Sequence, residues 1–140
     1  MEQTLVTRPH NTLQASGTPH PLGLALVPLL APYFLGLDRE HLIIVGCDSR
    51  QRLMSFVEQR GQTLAVDGVL PALRQAMAPT GVSQLLVAHN HPCGSTNASQ
   101  ADCEVTRRIA ALARLAGVTL ADHLLFAGSR HTSFRALGLL

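Results

Sequence analysis

A mixed α/β domain, one central mixed sheet flanked by helices, is the fold that this 140-residue sequence predicts. Three observations lead there. Aliphatic runs of strand length recur at 41–47, 85–88 and 118–126. One long stretch, 99–116, instead carries a helical repeat. Glycine and proline punctuate the intervals between them. The length fits one domain, and 46% apolar residues suffice for a core. With only 4% aromatics, that core must be mostly Leu, Val, Ile and Ala.

Residues 1–21 are rich in Thr, Pro, Gly, Asn and Ser without periodicity, and read as a flexible N-terminal tail preceding a domain over 22–140. The apolar segment Leu22 to Leu37 contains Pro28 and Pro32, which predicts a buried but broken helix. His41 to Cys47 is dense in aliphatics, Asp48-Ser49-Arg50-Gln51 supplies a turn, and Arg52 to Glu58 alternates. This is the pattern of a hairpin whose first strand is buried on both faces. Gly61 marks a further turn before Gln62 to Val66, a candidate third strand. Val69 to Met77 reads as helix, ended by Pro79 and Gly81. Leu85-Leu86-Val87-Ala88 is a short buried strand that runs directly into two histidines.

In the segment 99–116, Val105, Ile109, Leu112 and Ala116 fall on one helical face, and Glu104 and Arg108 can pair on the outer one. Gly117 is a natural residue to follow the helix C-terminus. Val118 to Phe126 and His131 to Arg135 read as late strands.

Composition excludes several function classes. All eleven basic residues are arginine. Without a lysine there is neither a Walker-type phosphate lysine nor a Schiff-base amine. The net charge of +2 is too mild to mark a nucleic-acid surface. Cys47, Cys93 and Cys103 are odd in number and irregularly spaced, which argues against a disulfide framework and predicts a reducing, cytoplasmic setting. Glu2 precedes any arginine, so no signal peptide is expected. The apolar run from Leu22 is short of the roughly 20 residues that cross a bilayer, and no membrane association is expected.

The chemistry concentrates at His89-Asn90-His91-Pro92-Cys93-Gly94 and Ser99-Gln100-Ala101-Asp102. In extended backbone, side chains at i and i+2 point the same way. His89 and His91 therefore aim together while Asn90 faces away. Pro92 and Gly94 force a turn, and Asp102 falls in the first turn of the next helix. Two imidazoles and a carboxylate are a catalytic zinc set with one position left open. Zn²⁺ lowers the pKa of a bound water from about 15.7 to about 7, giving a nucleophile near neutral pH. Ser99 and Asp102 equally form a capping box. Cys93 reads as small apolar filler rather than an added thiolate ligand. His123, after Asp122, is either a group that orients a ligand or a plain core histidine. No pattern surrounds His10, His20 or His131. Other histidine arrangements fit poorly. No glutamate follows His91 at cupin spacing, an amidohydrolase barrel needs ~250 residues, and the helical His-Glu-x-x-His pattern is absent.

The run His89-x-His91-Pro92-x-Gly94-(x)₄-Ser99-x-x-Asp102 resembles the JAMM signature of the JAB/MPN metallopeptidases, and most of all their bacterial RadC-like branch. Asp122-His123-Leu124-Leu125, Ser133-Phe134 and Arg39-Glu40 before an aliphatic strand resemble flanking motifs of that branch. The resemblance covers about Leu22 to Leu140. Cys93 stands where the branch usually has Ser, Ala98 where it has Pro, and Pro71-Ala72 where it often has Arg-Glu. None of these changes removes a ligand. The branch often carries an N-terminal helix-hairpin-helix region. Residues 1–21 are too few for one, so DNA binding by that route is not expected.

The resemblance implies a JAB/MPN, cytidine-deaminase-like architecture and a Zn²⁺ held by His89, His91 and Asp102. It implies Glu40 as general base and Ser99 as donor to the oxyanion. On residue type alone, Glu40 would be an exposed charge before a strand. The implied activity is hydrolysis of a peptide or isopeptide amide in a peptide or protein substrate. The alternative is a metal-binding module associated with DNA repair, without peptidase activity.

Overall fold

The computed structural model describes residues 17–61 and 64–140. Most of the expected tail, residues 1–16, lies outside the described residues. Residues 17–20 are tied to the body. Gly17 N–H donates to the Ala136 carbonyl at 3.1 Å, and His20 N–H donates to Asp122 Oδ2 at 3.2 Å.

The chain order is α1 (Pro21–Phe34), β1 (His41–Cys47), β2 (Leu53–Arg60), α2 (Val66–Met77), β3 (Gln84–Asn90), α3 (Gln100–Leu115), β4 (Thr119–Ala127) and β5 (Arg130–Ser133). The five strands form one mixed sheet in the order β2-β1-β3-β4-β5. All neighbours are antiparallel except β3 and β4, which α3 joins as a parallel crossover. The predicted mixed α/β class is thus the observed one. The expected hairpin is β1–β2. Its turn is closed by Asp48, whose Oδ1 accepts from the Arg50 and Arg52 N–H groups at 2.9 and 2.8 Å.

The sheet separates two apolar layers. On one face α2 and α3 pack Leu73, Val105 and Ile109 against Leu42, Ile44, Leu85, Val87 and Leu120. On the other, α1 packs Leu22, Leu30 and Phe34 against Ile43, Val45, Leu86, Leu124 and Phe126. β1 and β3, central in the sheet, are accordingly buried almost throughout.

Three expectations need correction. α1 is one unbroken helix, not a broken one, and is buried on one side only. Leu22, Leu30 and Phe34 face the sheet, while Leu24, Leu29 and Tyr33 are exposed. Pro28 and Pro32 lie on the outer face. The carbonyls that lose an N–H partner there, at Leu24 and Pro28, can turn to solvent. Second, the candidate strand at 62–66 is not formed where it is described. Gln62 and Thr63 lie outside the described residues, Leu64 enters the core, and Val66 already opens α2. Third, the buried face of α3 is Asp102, Cys103, Val105, Thr106, Ile109 and Ala113. Leu112 is only partly buried, Ala116 is exposed, and no ion pair joins Glu104 to Arg108 among the described residues. No described helix is long and apolar enough to cross a membrane.

Candidate metal centre

The site forms where β3 ends and α3 begins, the crevice that a parallel crossover leaves beyond the carboxyl end of its strand. His89 is the penultimate residue of β3. His91 follows the strand, and Gly94 reverses the chain at φ 88°, a left-handed value that suits glycine. The turn closes through Gly94 N–H to the His91 carbonyl at 3.0 Å. The chain then returns to place Ser99 as the N-cap of α3 and Asp102 three residues on.

Ser99 and Asp102 complete a reciprocal capping box. Asp102 N–H donates to Ser99 Oγ at 2.9 Å, and Ser99 N–H donates to Asp102 Oδ2 at 3.0 Å. The box fixes the carboxylate toward the histidines. His89 Nε2 lies 3.3 Å from Asp102 Oδ1, His91 Nε2 lies 3.0 Å from Asp102 Oδ2, and the two Nε2 atoms are 3.3 Å apart. All three residues are buried, and they form a three-membered group able to hold a metal ion.

The donor chemistry suits a cation at that point. His91 Nδ1 lies 3.2 Å from the Ser95 carbonyl, which can only accept, so Nδ1 carries a proton and a neutral ring offers Nε2 as a lone pair. An ionised carboxylate likewise only accepts. Lone pairs crowded together in a buried space repel unless positive charge lies between them. Burial pushes the Asp102 carboxyl up; in the metal-free protein, hydrogen bonds from His89 and His91, the charge of His89 and the Ser99 N–H outweigh this and hold it far below the usual carboxylate range. The carboxylate is therefore ionised at neutral pH.

Glu40 is placed differently. It is half-buried just before β1, and its Oε1 accepts from Leu64 N–H at 3.3 Å. β1 and β3 pair with Leu42 opposite His89. Asn90 carries that pairing past the strand end. Its Oδ1 accepts from His41 N–H at 2.6 Å, and its Nδ2 donates to the Arg39 carbonyl at 3.0 Å. Asn90 thus brackets Glu40 from both sides, just beyond the last β1–β3 pair, Leu42 with His89. Asn90 faces away from His89 and His91 as expected, but its bracing role was not visible in sequence. Cys93 is exposed rather than apolar filler, and it is not part of the three-membered group.

Of the two readings of His123, contact with the ligand cluster is what the structure displays. Its Nε2 lies 2.7 Å from His89 Nδ1, its ring stacks on Phe134 at 4.1 Å, and Thr106 Oγ1 lies 2.6 Å from its Nδ1. Thr106 was missed. Its signal was its position one helical turn beyond Asp102, on the same face.

A mixed α/β domain with a buried His-x-His and an Asp at the following helix start has the build of a JAB/MPN domain. The family model of the RadC-like JAB domain matches residues 24–139, and the chain belongs to that family. Among its curated relatives, UPF0758 protein Bpet3149 of Bordetella petrii is 38% identical over 103 residues, 72% of this chain and 45% of the relative. UPF0758 protein alr2351 of Nostoc sp. is 30% identical over 129 residues, 88% of this chain and 51% of the relative. UPF0758 protein STH371 of Symbiobacterium thermophilum is 30% identical over 118 residues, 83% and 50%. The chain therefore spans about half the length of these relatives.

Proposed function

We propose that this domain is a Zn²⁺-dependent hydrolase of peptide or isopeptide amide bonds. The convergence of His89 Nε2, His91 Nε2 and the Asp102 carboxylate on one buried point carries the reading. Nitrogen, nitrogen and oxygen donors are the set that zinc accepts, and a three-residue set suits a catalytic rather than a closed structural site. When bound, the metal supplies an acidified water and a positive centre for the amide carbonyl.

The chain's own residues do the rest. Glu40, flanked by the two Asn90 contacts, takes the proton from the attacking water and returns it to the leaving nitrogen. Ser99 Oγ accepts from Asp102 N–H, which leaves its hydroxyl proton to donate to the developing oxyanion. The capping box keeps the Asp102 carboxylate ionised and aimed.

The test uses the protein loaded with Zn²⁺, a mixed library of unstructured peptides read by mass spectrometry for new termini, and Glu40→Gln. Cleavage by the wild type is expected, with none by Glu40→Gln although about one Zn²⁺ per chain is retained. Equal cleavage by the variant would remove Glu40 from its role. No cleavage of peptides or of a ubiquitin-type isopeptide, together with salt-dependent binding of forked DNA, would favour the DNA-associated alternative.

A further inference from the structure

We propose that Thr106 and His123 act as positioning residues that fix the tautomer of His89, so that its Nε2 and not its Nδ1 is the ligand atom. The inference rests on the metal reading of the site, and the proton bookkeeping is unambiguous at its starting point. Thr106 Oγ1 lies 2.6 Å from the Asp102 backbone carbonyl, an acceptor without a proton of its own. The single hydroxyl proton of Thr106 is spent there.

Every following link is then directed. Thr106 Oγ1 can only accept from His123 Nδ1 at 2.6 Å, so that nitrogen carries the ring's proton. The His123 ring is fully buried and stacked flat on Phe134, and the hydrogen-bond partners of its two nitrogens, Thr106 Oγ1 and His89 Nδ1, are not carboxylates, a setting that favours the uncharged ring. Its Nε2 is therefore bare and accepts from His89 Nδ1–H at 2.7 Å. His89 is left with a bare Nε2 pointing at His91 and Asp102.

The chain of bonds closes on itself. It starts at the backbone of Asp102 and ends at the ring of His89, both ligands. β4 and the second turn of α3 thereby set the orientation of β3's ligand. Metal-bound histidines commonly donate to a carboxylate or a backbone carbonyl. Here the acceptor is a neutral imidazole, which adds no charge to the buried site and must itself be oriented. Thr106 supplies that orientation. The β4 bulge opposite Leu85/Leu86 makes the contact reachable. It inserts one residue, so that Leu120 pairs with Leu85 but His123 pairs with Val87, bringing His123 to the α3 side.

Thr106→Val tests this without touching a ligand. It is isosteric but gives His123 Nδ1–H no acceptor, so His123 can shift its proton to Nε2 and donate to His89. Two measurements are made. Nitrogen-15 NMR of the Zn²⁺-loaded protein at neutral pH reports which ring nitrogens carry a proton and which bind metal, and competition with a chromophoric chelator gives the Zn²⁺ affinity. The wild type and Thr106→Ser are expected to show protonated Nδ1 on both His89 and His123, with Nε2 bound to metal on His89 and bare on His123. Thr106→Val is expected to lose that pattern, with Zn²⁺ affinity lower by about 10–100-fold. A wild-type spectrum with the His89 proton on Nε2 would overturn the inference, even if Thr106→Val fails to fold. So would Zn²⁺ affinity in folded Thr106→Val equal to that of the wild type. A wild type that binds no Zn²⁺ would instead overturn the metal reading on which the inference rests.

Discussion

At the scale of single residues, the site is a set of proton assignments. Asp102 is ionised, His91 is oriented by the Ser95 carbonyl, and His123 is neutral in a buried cage. His123 has a consequence that needs no metal. Desolvation, and then the charge of His89, hold its pKa well below the ordinary 6.5, with Asp102 acting in the opposite direction. Below about pH 6.5 the unfolded chain takes up this proton and the native state does not. The unfolded state then binds more protons, so stability falls with falling pH, by up to about 1.4 kcal/mol per unit. Urea unfolding of metal-free protein between about pH 7.5 and about pH 5 is expected to show the gap between the wild type and His123→Phe narrowing on acidification. A constant gap would mean that His123 ionises freely in the fold. The three ligand residues were legible in sequence because their geometry is local: alternation along one strand, one turn, one helix start. The contacts of Asn90 with Arg39 and His41, and of His123 with His89, span 34 to 51 residues and had no local signature.

At the scale of elements, the start of α3 serves two purposes. The capping box that closes the helix also aims the Asp102 carboxylate at the two histidines. Ser99→Ala should cost ~1 kcal/mol through the lost cap, while Ser99→Gly, tolerated at an N-cap but without a side-chain donor, should recover most of that. If Ser99 also serves the oxyanion, both variants lose ~10²-fold or more in peptide hydrolysis. Denaturant unfolding beside turnover separates the two effects. Hydrolysis that recovers with stability in Ser99→Gly would reduce Ser99 to a cap. The helical repeat of α3 and the aliphatic runs of β1, β3 and β4 made those elements readable. α1 was misjudged because proline was weighed without its exposure. On the solvent side of a helix the orphaned carbonyl need not break it. The described part of the strand expected over 62–66 is not one because Leu64 reaches the core from an irregular stretch and Val66 from a helix start.

At the scale of the molecule, the sheet is covered on both faces, and the site sits at one end of its parallel pair rather than in either apolar layer. His89, His91 and Asp102 come from β3, the turn after it and the helix that follows, so an ion bound by them would clamp that crossover in the folded state only. Zn²⁺ at a free concentration of about 100 Kd should add ~2.7 kcal/mol to the stability of the fold. A thermal melt is expected to rise with Zn²⁺, fall back with chelator, and lose that response in Asp102→Asn. A melting temperature indifferent to Zn²⁺ would mean that the fold holds the three side chains together for another reason.

The central claim is that His89, His91 and Asp102 close around one divalent ion, and anomalous diffraction at the zinc edge from Zn²⁺-soaked crystals tests it most directly. The expected result is a single strong peak within about 2.0–2.2 Å of His89 Nε2, His91 Nε2 and an Asp102 carboxylate oxygen. No peak there, with the two rings turned away from Asp102, would contradict it.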